Sequence, residues 1–447
     1  MLLQITDGTT TVTLSGTSPV LGCTYFPVAP QMRAGEWQPV TETAEVNLRG
    51  THTAIRATIN SIESLLQAAA LRKATNVGPR VFAVYEPVDS DPATFRSEIA
   101  EGRVVWSENP GLRRLGDTNP TVRVAVIWTR AHWWEGAETE VQLSANAQTA
   151  ATGGRIVTND PAGGNWVQVA AAQVTGTLPA PVQLRMLNAS GSSKTYRRFM
   201  VGVNAYSDPA NLVHYLQAEA RLSGGTITAD ATSSGGNHLF VTVTASPAAY
   251  IWELPAADMA RTKGRRFRLL ARFAAGVGDL YVTPQVRNTG NVVLWQGDEI
   301  ALSTLVYESW QDLGVVPLPP GGYSAGFGAM RLSLSLRGSA TAALDVLQLT
   351  ALDSYQHWEL PPTGVSIANN VAVVHDGTDQ AFYALSGSTR TPLPSTSGGV
   401  LTLQPGVTQR LYILHQLYAG ATAGAGDAPI AGALTVSAFY RPRRVTV

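Results

Sequence analysis

Few residues of this sequence have the types and spacing of a known reaction site. The segment Gly322–Gly326 (Gly-Tyr-Ser-Ala-Gly) matches the Gly-x-Ser-x-Gly spacing of a hydrolase nucleophile. That motif needs a strand before it and a helix after it, but here Pro319-Pro320-Gly321 precedes it and a strand-like segment follows. A glycine-rich loop is therefore favoured over a nucleophile. Phosphate-binding, dinucleotide-binding and zinc-protease motifs are absent, so we expect no catalytic residues and no cofactor.

The acidic residues and histidines are too dispersed to indicate a metal site. His357 and Glu359 would share one face of a strand, but two ligands are too few for a metal ion. Glu86, Asp89 and Asp91 lie beside prolines, where a turn is the simpler explanation. Four carboxylates are the nearest candidates for a glycosidase pair: Asp258, Asp279, Asp298 and Glu299. The sequence predicts no metal, and glycan hydrolysis is kept only as a second alternative.

The aromatic residues between 209 and 357 offer a different chemistry, because sugar rings stack on flat aromatic side chains. The aromatic residues considered are Trp252, Trp295, Trp310, Tyr250, Tyr281 and Tyr307. We take Trp295, Trp310 and Tyr307 as the candidate carbohydrate-binding residues. The alternative is that these rings fill the core of a β-sandwich, which is the commoner use of large aromatics, and Trp252 fits it best.

One long helix is predicted, over residues 54–73, and it must position whatever the first third of the chain does. Its apolar residues recur at spacings of three and four, on one face of a 3.6-residue helix: Ile55, Ile59, Ile62, Leu66 and Ala69. Thr51 and Thr53 supply hydroxyls for the first turn, and Gly78-Pro79 prevents continuation. A helix with one apolar stripe covers one sheet, which predicts a small barrel or sandwich with a single helix packed on it.

The remainder of the chain is typical of strands and turns. A hairpin is predicted around Asp7-Gly8 and a second around Glu101-Gly102. Residues 121–134 alternate, with Val122, Val124, Val126 and Trp128 on one face. Trp133 and Trp134 are adjacent, so at least one must leave the core face, and it either lies partly buried under a loop or contacts another subunit. The C-terminal arginines (Arg441, Arg443 and Arg444) could pair with acidic groups of a neighbouring subunit, but we expect them to remain in water, as chain ends usually do.

Three domains follow from this pattern. Residues 1–150 form the first. Residues 209–357 contain eight short predicted strands and are typical of a jelly roll. The flanking pieces, 151–208 and 358–447, are each too short for a sandwich and are interpreted as halves of one interrupted domain. The predicted fold is mainly β: an N-terminal split β-barrel with one α-helix, followed by β-sandwich domains of jelly-roll or galectin-like type.

Composition limits the partners. The formal net charge is zero, which argues against a general nucleic-acid binder or a basic membrane-binding surface. Charged residues make up 14% of the chain, against about 25% in ordinary domains. The single cysteine, Cys23, excludes an internal disulfide. No signal peptide and no membrane-spanning stretch is evident, so we expect a protein made in the cytoplasm that has no membrane partner.

The first 145 residues resemble the tail-tube-like domain of distal tail proteins from long-tailed bacteriophages (siphophages). The likeness lies in the opening hairpin, in VTETAEVNL leading into AIRATINSIESLL, and in the strand pairs after them. The closing LDVLQLTAL and the opening QAEARL of the 209–357 segment are similar to the last and first strands of carbohydrate-binding jelly rolls.

This resemblance implies a non-enzymatic structural protein of the virion tail, made in the host cytoplasm. It implies a hexameric homo-oligomer in which a split barrel forms a ring at the tail tip or baseplate, with sandwiches projecting outward. The implied partners are the tail tube, the tail-tip hub and host surface glycans. The first alternative is a carbohydrate-binding adhesin or receptor-binding protein, and the second is a glycan hydrolase.

Overall fold

A computed structural model of the chain describes residues 2–447 apart from short segments. These segments are 88–92, 107–119, 144–149, 152–153, 160–163, 206–214, 232, 255–265, 303–309, 319–329, 352–353, 362, 395–396 and 418–433. The Gly322–Gly326 motif, Tyr307, Asp258, Asp89 and Asp91 therefore lie outside the described residues.

The described residues form strands joined by turns, with one α-helix among them. The N-terminal elements are β1 (Leu2–Thr6), β2 (Thr11–Thr13), β3 (Val20–Thr24), β4 (Met32–Arg33), β5 (Glu36–Trp37), β6 (Val40–Arg49), α1 (His52–Thr75), β7 (Phe82–Glu86), β8 (Phe95–Trp106), β9 (Thr121–Arg130) and β10 (Trp134–Glu135). The next are β11 (Thr139–Val141), β12 (Ala150–Ala151), β13 (Gly154–Val157), β14 (Trp166–Val169), β15 (Ala180–Leu187), β16 (Lys194–Ala205), β17 (Tyr215–Gln217), β18 (Thr226–Ala229), β19 (Asn237–Val243), β20 (Ala248–Leu254), β21 (Arg266–Arg287), β22 (Val293–Gln296), β23 (Ile300–Leu302), β24 (Trp310–Pro317) and β25 (Met330–Ala351). The last are β26 (Ser354–Glu359), β27 (Val365–Ile367), β28 (Ala372–Asp376), β29 (Ala381–Ser386), β30 (Thr389–Pro392), β31 (Ser397–Gly398), β32 (Thr402–Leu403), β33 (Gln409–Leu417), β34 (Leu434–Tyr440) and β35 (Arg443–Arg444). The predicted mainly β class is confirmed.

The chain divides into two compact units. The first, the ring unit, contains residues 1–139, 175–180 and 441–447, and the second, the sandwich unit, contains residues 140–174 and 181–440. The ring unit is therefore completed by two later segments of the chain, one of which is the C-terminus.

The ring unit is a curled sheet with strand order β2-β1-β7-β8-β9-β6-β3. Laid flat, those strands would hold β2 and β3 about 29 Å apart. The connection between them is only the segment 14–19, which spans at most about 24 Å. The sheet must therefore curl, so that its two edge strands approach each other as in a split barrel.

Helix α1 packs its apolar stripe against one face of this sheet. The Thr51 hydroxyl accepts a hydrogen bond from the Ala54 N–H at 3.2 Å and caps the first turn, and Asn76 ends the helix in the left-handed region. The predicted stripe is confirmed, since all five of its residues are buried, together with Leu65. Among the described residues, no helix is long and apolar enough to cross a membrane.

The two predicted hairpins have different outcomes. The first hairpin forms, with a loop that extends from Asp7 to Thr10. The Asp7 carboxylate stabilises this longer loop by accepting hydrogen bonds from the Thr9 and Thr10 N–H groups at 2.8 and 2.6 Å. The second is wrong: β8 runs unbroken through Glu101 and Gly102. A Cβ at Gly102 would lie 2.7 Å from the Leu66 side chain and from the Ile127 carbonyl oxygen. Gly102 therefore allows α1 to approach the strand and does not form a turn.

The C-terminal arginines do not all remain in water, so that expectation is wrong. β35 pairs with β10, and the Arg443 guanidinium donates to the Glu135 carboxylate at 2.7 and 3.0 Å. The same guanidinium lies 4.2 Å from the centre of the Trp133 ring, whereas Trp134 is completely buried. The chain end is fixed because a buried carboxylate needs a cationic partner.

The sandwich unit contains two sheets built from both flanks of the 209–357 segment. One has the order β14-β33-β16-β26-β31, and the other the order β12-β13-β34-β15-β28-β29-β30. A third sheet is made entirely from strands β17 to β25. On this pairing we propose an interrupted sandwich (151–208 and 358–447) that holds an inserted jelly roll (209–357), as the sequence predicts.

The third sheet differs from the sequence prediction in strand length. Four of the eight short strands predicted there merge into two long ones, β21 and β25, which pair along almost their whole length. Gly278 and Gly338 have φ of 95° and 140°, and a Cβ on either would lie against the carbonyl oxygen of Ser339 or Asp279 on the facing strand. Glycines that appear to end strands instead allow two continuous strands to bend together.

Candidate functional site

The predicted aromatic platform is not assembled on one surface. Trp310 is completely buried and packs in a cluster with Met200, Leu270, Val346 and Tyr355. Its ring therefore contributes to packing inside the sandwich unit and has no face open for a sugar. Tyr307 lies outside the described residues.

Trp295 lies at the edge of the jelly-roll core. It is opposite Val286, which is completely buried, and its partly buried ring packs against that core. A Cβ at Gly297 would lie 2.8 Å from the ring, and the Gly297 N–H donates to the Pro284 carbonyl at 2.9 Å, so the turn fits closely over the indole. Trp252 is 1% exposed and belongs to the core, as expected. A sugar contact by Trp295 stays a prediction.

The opposite face of the same sheet carries a row of hydrogen-bonded polar side chains. The Gln285 amide donates to the Gln296 Oε1 atom at 3.0 Å. The Gln285 Oε1 atom accepts from Arg287 at 2.6 and 3.1 Å and from the Ser333 hydroxyl at 3.1 Å. We call Gln285, Arg287, Gln296 and Ser333 the polar row. Sequence reasoning missed it, although the alternation in LYVTPQVR was the signal that these residues face away from the core.

An aromatic ring and an ion pair extend this face beyond the polar row. Tyr281 and Gln285 have the same parity on β21, and Arg337 on β25 pairs with Tyr281. The Arg337 guanidinium lies 4.4 Å from the Tyr281 ring centre and donates to both Glu299 oxygens at 2.5 and 2.6 Å. These hydrogen bonds lower the pKa of Glu299. Planar polar groups can form hydrogen bonds with sugar hydroxyls, and an adjacent aromatic ring can stack on the apolar face of a sugar ring.

His357 and Glu359, the pair considered as metal ligands, form structural contacts. The His357 Nε2 atom lies 3.1 Å from the Glu359 Oε2 atom, and Arg198 donates to the same carboxylate at 3.1 Å. Burial raises the pKa of Glu359, but the contacts from His357 and Arg198 outweigh it, so the pKa is lowered overall. Within the described part of the chain, no group of three potential ligands could hold a metal ion.

The edges of the ring-unit sheet form the second candidate site. Strand β2 pairs only with β1, and β3 pairs only with β6, among the described residues. Neither edge strand contains a charged residue. Lysines, prolines and covering loops are the usual protection of free edges in monomeric proteins. Neither strand therefore has charged side chains to prevent pairing with another chain.

In β3 and in the segment after it the chain exposes apolar side chains, which we call the apolar patch. They are Leu21, Phe26, Val28 and Met32, which are 57%, 81%, 46% and 55% exposed. Strand β3 ends at Thr24, shortly before Pro27, because proline cannot donate to a strand ladder.

A buried charged network holds this segment in place. Glu42 and Arg130 are completely buried and their side chains meet at 2.8 Å. The Glu42 carboxylate also accepts from the Tyr25 hydroxyl at 2.6 Å and from the Val28 N–H at 2.9 Å, and Arg130 donates to the Val28 carbonyl at 3.0 Å. Burial and the nearby Glu42 carboxylate raise the pKa of Tyr25. Phe26 thus lies between two fixed residues.

A cleft of about 940 Å³ opens elsewhere on the ring unit, between the first half of α1 and the end of β8. Its wall includes Ile55, Ile59 and Ala57 from the helix and Trp106, which is 46% exposed, from the strand. Arg56 and Glu63 also line it. We call it the helix cleft. Its lining is mixed, with four apolar residues and five polar or charged ones, and Trp106 is its most exposed large apolar side chain.

No model of a known protein family matches the chain, and no curated protein matches it in sequence. Solved structures do match. The Dit protein of phage SPP1, described as a paradigm of the hub adsorption apparatus in phages that infect Gram-positive bacteria, is 9% identical with a TM-score of 0.31, and 99% of each chain is covered. It is a protein of the class that the sequence resembles.

Two further matches are partial. The 4-O-methyl-α-glucuronidase BtGH115A is 12% identical with a TM-score of 0.23, and the match covers 33% of this chain but only 18% of that enzyme. The carbohydrate-binding module TmCBM61, solved with β-1,4-galactotriose, is 10% identical with a TM-score of 0.18, covering 34% of this chain and 88% of the module. Because these identities and TM-scores are low, the proposals below depend on the geometry of this chain.

Proposed function

We propose that this chain is a non-enzymatic structural protein of a bacteriophage tail, and that its ring units join into a hexameric ring at the distal end of the tail tube. The observation that carries the proposal is the pair of edge strands, β2 and β3, which are uncharged and lack an outer partner among the described residues. In a ring, each edge is covered by the neighbouring copy, so no usual edge protection is needed.

The proposed partners follow from this placement. One face of the ring meets the tail tube and the other meets the tail-tip hub, and the protein is a component of the virion.

Mass measurement and negative-stain microscopy of the full chain test the ring. We expect particles of six copies with a central opening. Leu21→Lys places a cation on the β3 edge and should disrupt them, whereas Val77→Lys, at a residue that is 68% exposed beyond α1, should not. Wild-type protein that is monomeric or trimeric would refute the ring and favour the adhesin alternative.

As a second candidate function, we propose that the jelly roll contacts glycans on the host surface. Tyr281, the Gln296 amide and the Arg287 guanidinium favour it, because fixed amide and guanidinium groups can bind sugar hydroxyls. The other two members of the polar row, Gln285 and Ser333, are 7% and 0% exposed and hold Gln296 and Arg287 in place. This surface differs from the one predicted by sequence, in which Trp295, Trp310 and Tyr307 form the platform.

A glycan array with the full chain distinguishes the two surfaces. If the polar row binds, Gln296→Ala and Tyr281→Ala should abolish binding and leave the fold intact, while Trp295→Ala keeps binding. The reverse pattern would support the sequence-based platform. Trp310→Ala should instead destabilise the protein by about 3–5 kcal/mol, because it empties a core position. Release of sugar products, abolished by changing one carboxylate, would support the hydrolase alternative.

A further inference from the structure

Among the described residues of the ring unit, Phe26 is the most exposed large apolar side chain, at 81%, and it belongs to the apolar patch. Its neighbour Tyr25 is only 3% exposed, so the chain turns one ring inward and the next outward. Exposed apolar patches of this kind mark interaction sites more often than chance surface residues do.

The buried network makes Phe26 a fixed anchor. Both backbone polar groups of Val28 are bonded to completely buried charged side chains, and the Tyr25 hydroxyl is bonded to one of them. A backbone segment held in this way loses little further conformational freedom when its aromatic side chain binds. Interfaces are dominated by a few such aromatic anchors that fill pockets on the partner.

Phe26 does not fill the helix cleft of its own chain. Its side chain is 81% exposed, and it is not among the residues that line the cleft. Strands β9 and β6 lie between β8, which carries Trp106, and β3, which precedes Phe26.

We propose that Phe26 of one copy inserts into the helix cleft of the next copy, between α1 and Trp106. The partner is a second copy of this chain, because the patch continues directly from the edge strand β3, and Trp106 with the apolar side chains of α1 on the same unit offers a contact surface for an aromatic ring. Joining two different surfaces of one chain gives a heterologous contact, which forms a ring when the rotation between copies closes. The inference rests on the proposed ring and names the side chains that hold it.

Sedimentation of the full chain over a concentration series provides the first test. Phe26→Ala should raise the dissociation constant between copies about 30-fold or more, as expected for an interface anchor. Trp106→Ala should have a similar effect, and the double variant should cost less than the sum of the two, because the side chains contact each other. Val77→Ala, a control on the same unit at a residue that is 68% exposed, should change the constant less than threefold.

Cross-linking identifies the occupant of the cleft. Benzoylphenylalanine at position 26, in a mixture of isotope-labelled and unlabelled copies, should cross-link to residues 52–63 or 103–106 of a second copy. A ring that persists in Phe26→Ala, with cross-links to other segments, would overturn this inference and leave the ring standing. A wild-type chain that is monomeric at every concentration would remove both.

Discussion

Removing the charge of Glu42 should loosen the segment that presents Phe26. In Glu42→Gln the amide can keep every hydrogen bond: its Oε1 atom accepts from the Val28 N–H and Arg130, and its Nε2 atom donates to the Tyr25 hydroxyl, which can also accept. What changes is the charge, since the Arg130 guanidinium, which is 0% exposed, is left without a carboxylate.

Loss of one partner of a buried ion pair costs about 3–5 kcal/mol. Because the hydrogen bonds survive in this variant, we expect the lower end, about 3 kcal/mol. The Arg130 guanidinium also lies 4.4 Å from the Trp134 ring centre, a contact that stays in the variant. Glu42→Leu, which removes the acceptors as well, should reach the upper end.

Hydrogen exchange measures the effect where it arises. The Val28 amide is bonded to the Glu42 carboxylate, so peptides covering residues 25–31 should exchange roughly a hundredfold faster in Glu42→Gln. Glu45→Gln is the matched control, because it lies on the same strand and its ion pair with Arg123 is exposed to solvent. Equal exchange in the two variants would refute the role given to the buried network.

Three further predictions concern stability and are read by calorimetry of the full chain. Burial, opposed by Asp376, lowers the pKa of His375 to about 4, while the unfolded chain binds the proton near pH 6.5. The unfolded state therefore holds more protons between these values, so about 3 kcal/mol of stability is lost as the pH falls from 6.5 to 4, and His375→Gln should flatten this dependence. Asp345→Asn leaves the Arg272 guanidinium, 1% exposed, without its carboxylate and should cost about 3–5 kcal/mol, most of which Arg272→Met with Asp345→Leu should restore. Gly102→Val should cost at least about 1–3 kcal/mol, because its side chain would overlap Leu66, and a smaller loss would show that α1 is free to shift.

Regular periodicity explains what could be predicted. The stripe of α1 and the alternation of β9 are local patterns, and both are buried as expected, with Val124, Val126 and Trp128 completely enclosed. Predictions from local patterns were wrong where the role of a residue is set by its contact with a residue distant in the sequence. Gly102 and Gly278 look like turn residues in the sequence, but each makes room for another element.

The candidate sites show the same division. An aromatic residue is visible in a sequence, but its face depends on strand parity, so Trp295 and Gln296 point to opposite sides of one strand. Trp310 is buried by a packing partner that no local pattern reveals. The role of Phe26 as a candidate interface residue depends on Glu42 and Arg130, which lie far apart in the sequence and together hold Val28 beside it.

The sequence by itself determined the mainly β class, the single long helix with its buried stripe, the hairpin at Asp7 and the absence of a recognisable catalytic motif. All of these depend on the spacing of residues that are close together in the sequence. Only the tertiary structure decided which strands remain free at the edges of the ring unit, which aromatic rings are enclosed, and which charges are buried together. Those properties depend on contacts between residues distant in the chain, whose energies are fixed by burial and mutual distance and not by local order.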